Sequence, residues 1–230
     1  MRIVVDHLTR MQRGYICVAG IDLQTGKHVR PVLSEGRLPT TLLEQQGGVF
    51  DLANVVDLGE VRAVGTPPET EDCLFQAANT RVIGKLLPEQ FWDAISGLAK
   101  TSLTQVFGED LQPQGQSFAV SMNKGEVSLG CLRTNAPPIL TITDFDGKDK
   151  LRIHINQSGV EFSLSVTDIR FYEPDHTTLR YSEVHRVNKL LREEEVICAL
   201  GLARPWRKPG DTESRHWLQL NNIHCKHRLF

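Results

Sequence analysis

The chain is short of the features that most quickly betray a function. Aromatic residues make up 7% of its 230 positions, no charge of one sign predominates, and its five cysteines include no CxxC pair. A net charge of −2 with a pI near 6.4 excludes a uniformly basic nucleic-acid coat, so any polyanion site must come from a local patch. The longest apolar run, residues 196–203, is too short to span a bilayer, and the opening MRIVVDHLTR is too short in apolar length for a secretory signal. GxSxG, GxxxxGK[ST] and HExxH are all missing, which removes the common hydrolase, NTPase and metalloprotease signatures. Cys17, Cys73, Cys131, Cys198 and Cys225 are an odd, scattered set, expected to be reduced in a cytoplasmic protein. These absences predict a non-enzyme without cofactor or membrane attachment.

What is present is strand periodicity. Apolar residues alternate in Ile3 to Leu8 and Tyr15 to Leu23, with a Thr25-Gly26 turn before a third run through Val29, Pro31 and Val32, and in a longer stretch from Gly47 to Val64. The period changes over Pro88 to Leu98, where Phe91, Ile95 and Leu98 recur at helical spacing behind a proline start. Strand patterning returns at Phe118 to Met122, Val127 to Leu132, Ile139 to Phe145, Leu151 to Ile155, Val160 to Phe171, Val196 to Ala203 and Trp217 to Ile223. Turns are expected at Asn123-Lys124-Gly125 and Asp146-Gly147, and a second helix over Glu183 to Glu194. Each half holds about five strands and one helix, the element count of a small OB-like barrel. The expected fold is therefore mainly β: a first barrel over residues 1–80, a helical connection over 81–116 and a second barrel over 117–230. A single large β-sandwich has similar spacing.

Charge is segregated along this plan. Residues 1–37 carry six Lys/Arg against three Asp/Glu, residues 38–79 one against seven, and residues 176–230 ten against six. The basic ends supply nucleic-acid contacts and the acidic stretch 38–79 a docking face for another protein subunit, unless both are simply solvated surface. The most distinctive segment, GLARPWRKPGDTESRHW, sets Arg204, Trp206, Arg207 and Lys208 against Arg215, His216 and Trp217 across a polar loop. Guanidinium and ammonium groups neutralise phosphates while rings stack on bases, although either tryptophan can equally belong to the core. Arg10, Arg13, Lys27 and Arg30 form a comparable N-terminal set, with His28 beside them. Arg152, His154 and Arg170 alternate on strands near Phe171 and Tyr172.

Three other groupings are weaker. His224, Cys225 and His227 make an HCxH tail, but strand geometry sends the first two to opposite faces. TDFDGKDK has part of a calcium-loop pattern, without its glutamate, and reads as a hairpin turn. Asp6, His7, His154 and Asp168 are the strand-located titratable groups from which an enzyme or nucleotide sensor would have to be built.

LTR followed by GYICVAGIDLQTGKHVRPV near the start, with GLARPW and HWLQLNNIH near the end, resembles the prokaryotic proteins that carry a dual OB-containing domain. The resemblance spans nearly the whole chain. It implies a pair of OB-like barrels, a role in binding nucleic acid or nucleotides, and a setting in bacterial defence or mobile-element systems. A nucleic-acid-binding module for single-stranded DNA or RNA is the expectation, with an adaptor subunit of a larger complex as the alternative.

Overall fold

The computed structural model describes residues 1–34 and 36–226. It is mainly β, with two eight-stranded sheets and a helix wedged between them. The first sheet is built from β1 (Arg2–Arg10), β2 (Tyr15–Asp22), β3 (His28–Val32), β4 (Leu38–Pro39), β5 (Asn54–Asp57), β6 (Arg62–Ala63), β7 (Asp72–Leu74) and β8 (Arg81–Lys85). Its order is β6-β7-β3-β2-β1-β5-β8, with β4 on the far end of β2. Thr25 and Gly26 turn the β2–β3 hairpin as expected, and β3 pairs in parallel with β7. The long apolar stretch from Gly47 keeps only two short strands: Ala53 and Gly59, with left-handed φ values of 64° and 70°, flank β5 on either side.

The connection holds α1 (Pro88–Leu98) and α2 (Leu103–Phe107). The second sheet follows with β9 (Gln112–Gln114), β10 (Ser117–Ser121), β11 (Leu129–Arg133), β12 (Ile139–Phe145), β13 (Lys148–Gln157), β14 (Val160–Val166), α3 (Tyr181–Leu190), β15 (Val196–Leu202) and β16 (Arg215–Cys225). Its order is β11-β15-β16-β14-β13-β12, and β10 joins β16 to β9. Asp146 and Gly147, both at positive φ, close the β12–β13 hairpin; no calcium loop is formed there. The Asn123-Lys124-Gly125 turn, by contrast, separates β10 and β11, which pair with different neighbours. Neither sheet's outermost strands pair with one another among the described residues, so each is a curled half-barrel.

Each half-barrel folds around its own core. Ile3, Val5 and Leu8 belong to the first, and Leu151, Ile153, Leu164, Leu200 and Leu220 to the second. A third cluster fills the space between them: Val4 and Ile21 from one sheet, Ile197 and Ala199 from the other, and Phe91, Trp92 and Ile95 from α1. Because strand side chains alternate, β1 and β15 can serve both their own core and this junction. The expected connecting helix is thus a packing element of both halves.

Polar contacts across the junction centre on β1 and β16. Each carries a bulge: the β1–β2 register skips Asp6, and the β15–β16 register skips Asn221. A bulge adds one residue to one strand and so turns two successive side chains to the same face. Asp6 and His7 therefore both face the second half, and Asn221 and Asn222 both face the first. The Asn222 amide accepts from Leu8 N at 2.6 Å and donates to Leu8 O at 3.2 Å, standing in for a missing strand partner. His224 Nε2 donates to Asp6 O at 2.9 Å, and Asn221 lies 3.1 Å from His7 Nδ1.

Candidate nucleic-acid interface

Where β1 and β16 leave the junction, the two half-barrels part to form a cleft of about 530 Å³. Cations dominate its charged lining. Arg10 ends β1, Arg13 sits in the β1–β2 turn, Arg30 lies on β3, Arg37 precedes β4, Lys150 is on β13 and Arg204 follows β15. No Asp or Glu lines it among the described residues. Thr9, Thr167, Gln219 and Asn221 supply neutral hydrogen-bonding groups to its walls.

The six cations are held differently. Arg30 is buried and donates from Nε to Asp72 Oδ1. Burial opposes its charge, but the neighbouring Cys17 and Asp72 outweigh that and leave its pKa raised. Arg204 reaches Asp72 at 2.6 Å and Glu69 at 3.3 Å, so two carboxylates behind the wall offset two of the cations. Arg10 stacks 3.8 Å over the Tyr172 ring and donates to His176 O at 2.7 Å. Nε of Arg10 and Nη2 of Arg30 are buried without a hydrogen-bond acceptor among the described residues. Arg13, Arg37 and Lys150 are exposed and have no ion-pair partner among the described residues. Arg13 holds its place at φ 63°, a conformation unusual for a side chain of its size.

A second tier continues from the cleft along the outer face of the second sheet. On β13, Lys150, Arg152 and His154 alternate with core residues Leu151, Ile153 and Ile155. Arg152 donates to Ser163 Oγ at 2.8 Å and to Ser163 O at 2.7 Å, and its pKa is lowered by burial. Ser165 links this row by register to Gln219 on the cleft wall. Lys208 lies 3.1 Å from the centre of the buried Trp217 ring; burial lowers its pKa despite Asp211, with Arg152 adding to the fall. Trp206 is 45% exposed, its O accepting from Trp217 Nε1 at 3.2 Å, and Arg207 beside it is exposed.

The structure thus gathers Arg10, Arg13, Arg30 and Arg204 in one cleft and sets Arg152 and Lys208 along the adjoining face, with Trp206 and Arg207 exposed in the loop beside Lys208. Three expected contacts lie elsewhere. Arg170 grips the fully buried Asp168 through Nε at 2.9 Å and Nη2 at 2.6 Å, bracing the fold. His216 is buried between Ala203 O and Glu69. Lys27 lies on the other side of the junction, beside Glu71 and Cys131. Arg37 and Lys150 were not among the expected contacts; the alternation of Lys150 with Arg152 on one strand was the available signal, and Arg37 had none.

The acidic stretch is largely consumed within the fold. Glu44 and Asp51 pair with Lys85, Asp57 with Arg81, Glu69 and Asp72 with Arg204, and Glu71 accepts from the backbone N–H of Ser128 and Leu129. Metal-ligating side chains converge in the junction, where Asp6, His7, His28 and Cys131 meet. Burial brings His7 down to about 3 against the opposing pull of Asp6, and burial with Arg170 brings His224 down to about 4. Both rings are neutral at pH 7. His227 of the HCxH tail lies outside the described residues; His224 and Cys225 point to opposite sides, toward Phe91 and the second core respectively. Among the described residues no helix is long and apolar enough to cross a membrane.

No curated protein sequence matches the chain. A solved murine DNA-binding protein bound to double-stranded DNA aligns with 98% of this chain and 94% of that one, at 11% identity and a TM-score of 0.33. So distant a likeness transfers no contact. The sequence profile of one family, however, matches residues 1–223, which takes in both sheets and the wedged helix. With two curled half-barrels observed and a match over nearly its full length, the chain belongs to the dual OB-containing domain family.

Proposed function

We propose that the chain binds nucleic acid without transforming it, holding one strand in the cleft between its half-barrels. The observation that carries this reading is the lining itself: six cations, no carboxylate among the described residues, and Arg13, Arg37 and Lys150 left unpaired. Cations that stabilise a fold are paired, as Arg170, Arg30 and Arg204 are; the exposure of Arg13, Arg37 and Lys150 without an ion-pair partner among the described residues supports binding of a polyanion. A volume of about 530 Å³ suits a few nucleotides of a single strand rather than a duplex. Half-exposed Trp206, beside the Arg152 and Lys208 face, offers a ring on which a base can stack. Setting this activity in the cytoplasm, within a defence or mobile-element system, is supported by the family resemblance and by an odd, scattered set of cysteines with no CxxC pair.

Anisotropy titrations with labelled single-stranded DNA, single-stranded RNA and duplex DNA at several salt concentrations test the proposal. Binding of a single strand should weaken with salt, each phosphate contact adding about 0.7 to the log–log slope. A folded protein with no affinity for any of the three would overturn it, and a preference for duplex would overturn the choice of strand.

A further inference from the structure

The junction holds a second constellation, independent of the cleft. Asp6, His7, His28 and Cys131 each bring one ligand atom to a common point, all four within 4.8 Å of one another. Asp6 Oδ2 stands 2.9 Å from His28 Nε2, 3.4 Å from His7 Nε2 and 3.8 Å from Cys131 Sγ, and that sulfur is 4.0 Å from His28 Nε2. Ligands about 2.0–2.3 Å from one ion at tetrahedral angles stand roughly 3.3–3.8 Å from each other, so small shifts bring this set to coordination distance.

We propose that these four side chains bind a single divalent transition-metal ion, zinc by the character of the donors, which ties the two half-barrels together. Four features support the site. The β1 bulge is what brings consecutive residues Asp6 and His7 to one face; an unbulged strand would send them apart. Asp6 Oδ1 and His7 Nε2 are buried in residues 0% and 1% exposed, yet have no hydrogen-bond partner among the described residues. Such orphaned atoms are costly in a dry interior; an ion would satisfy His7 Nε2 directly, and Asp6 Oδ1 if the carboxylate bound through both oxygens. Two neutral imidazoles, one carboxylate and one thiolate balance the charge of a divalent cation, leaving the buried site electrically neutral. Finally, two imidazoles and a thiolate are the donors that zinc favours over magnesium or calcium.

The same geometry speaks against a cysteine nucleophile. In a relay, Asp and Cys would face opposite nitrogens of the histidine, whereas here both lie nearest Nε2 of His28. One nitrogen shared by two neighbours is the pattern of convergence on an ion. The Asn221 amide braces the His7 ring from the far side, its Nδ2 lying 3.1 Å from His7 Nδ1 while its Oδ1 accepts from Thr167 Oγ1 at 3.3 Å. Gly201 makes room for that amide, since a Cβ there would lie 2.3 Å from Asn221 Nδ2. His28 and Cys131 also line a surface cleft of about 610 Å³, which gives an ion a way in. Binding displaces to solvent the Cys131 thiol proton and the proton shared between His28 Nε2 and Asp6 when that imidazole is charged.

Titration of the chelator-treated, full-length chain with cobalt(II) tests the site directly. The expected result is one equivalent bound with a thiolate-to-cobalt charge-transfer band, displaced by zinc, and a melting temperature several degrees higher with zinc than without. Cys131→Ser should abolish the band and His28→Gln should weaken binding at least tenfold. The His28 variant serves should the cysteine variant not fold. Absence of stoichiometric cobalt or zinc binding to the folded wild-type chain overturns the proposal. So does metal binding whose band and affinity are unchanged in either folded variant, since the ion would then lie elsewhere.

Discussion

The cleft and the junction cluster lie on either side of Asn221, are served by the same two strands, and are opposite in kind. One is open, lined by cations, with charges left unpaired toward solvent; the other is largely buried at the back of a second cleft and gathers a carboxylate, two imidazoles and a thiol. β1 contributes Asp6 and His7 to the second and Thr9 and Arg10 to the first. The difference shows that residue type alone does not assign a role here. Arg13 and Arg170 are both arginines near the junction, but the first faces water without a carboxylate while the second is clamped on Asp168.

That contrast can be broken or sharpened by substitution. Trp217→Ala should cost roughly 3–5 kcal/mol of stability by thermal or denaturant melting, because its ring is buried under Lys208. Trp206→Ala, in the same loop, should leave melting nearly unchanged and weaken strand binding by about 1–3 kcal/mol in anisotropy titrations. Asn222→Ala should affect both regions together: it strands Leu8 N and O between the sheets, costing about 2–4 kcal/mol of stability and loosening the cleft with it. Combined Arg13→Ala, Arg37→Ala and Lys150→Ala should preserve the melting temperature, reduce affinity about 10- to 100-fold at moderate salt and flatten the salt slope by about 2. The smallest effect is expected from Lys85→Ala, which removes a cation outside the cleft: under about 1 kcal/mol of stability and no change in binding. Equal loss of binding from Lys85→Ala and from the cleft variant would mean that overall charge, not the cleft, attracts the ligand.

Much of this architecture was legible in strand periodicity. The helix over Pro88–Leu98, the hairpins at Gly26 and Gly147 and the long strands β1, β13 and β16 follow from alternation and turn residues. Pairing was less legible, because a turn such as Asn123-Lys124-Gly125 looks the same whether its flanking strands meet each other or not. Among site residues, Arg10, Arg13, Arg30 and Arg204 could be picked by charge and context, but their convergence depends on contacts far apart in sequence. His216 and Arg170 carry the same chemistry in sequence and are buried by partners that no local pattern announces. The bulges were the deepest omission: strict alternation separates Asp6 from His7, and one skipped residue in the pairing reunites them.

The bond between Leu8 and Asn222 joins positions 214 apart. During synthesis the first half-barrel has all its strands long before β16 emerges, yet the Leu8 backbone, His7 Nδ1 and the Asp6 carbonyl on β1 lack their partners Asn222, Asn221 and His224 until then. The first half must therefore wait with a polar, unsealed surface, and closure of the junction becomes a late step governed by long-range contacts. Whatever slows delivery of residues 215–225 should prolong that exposed interval.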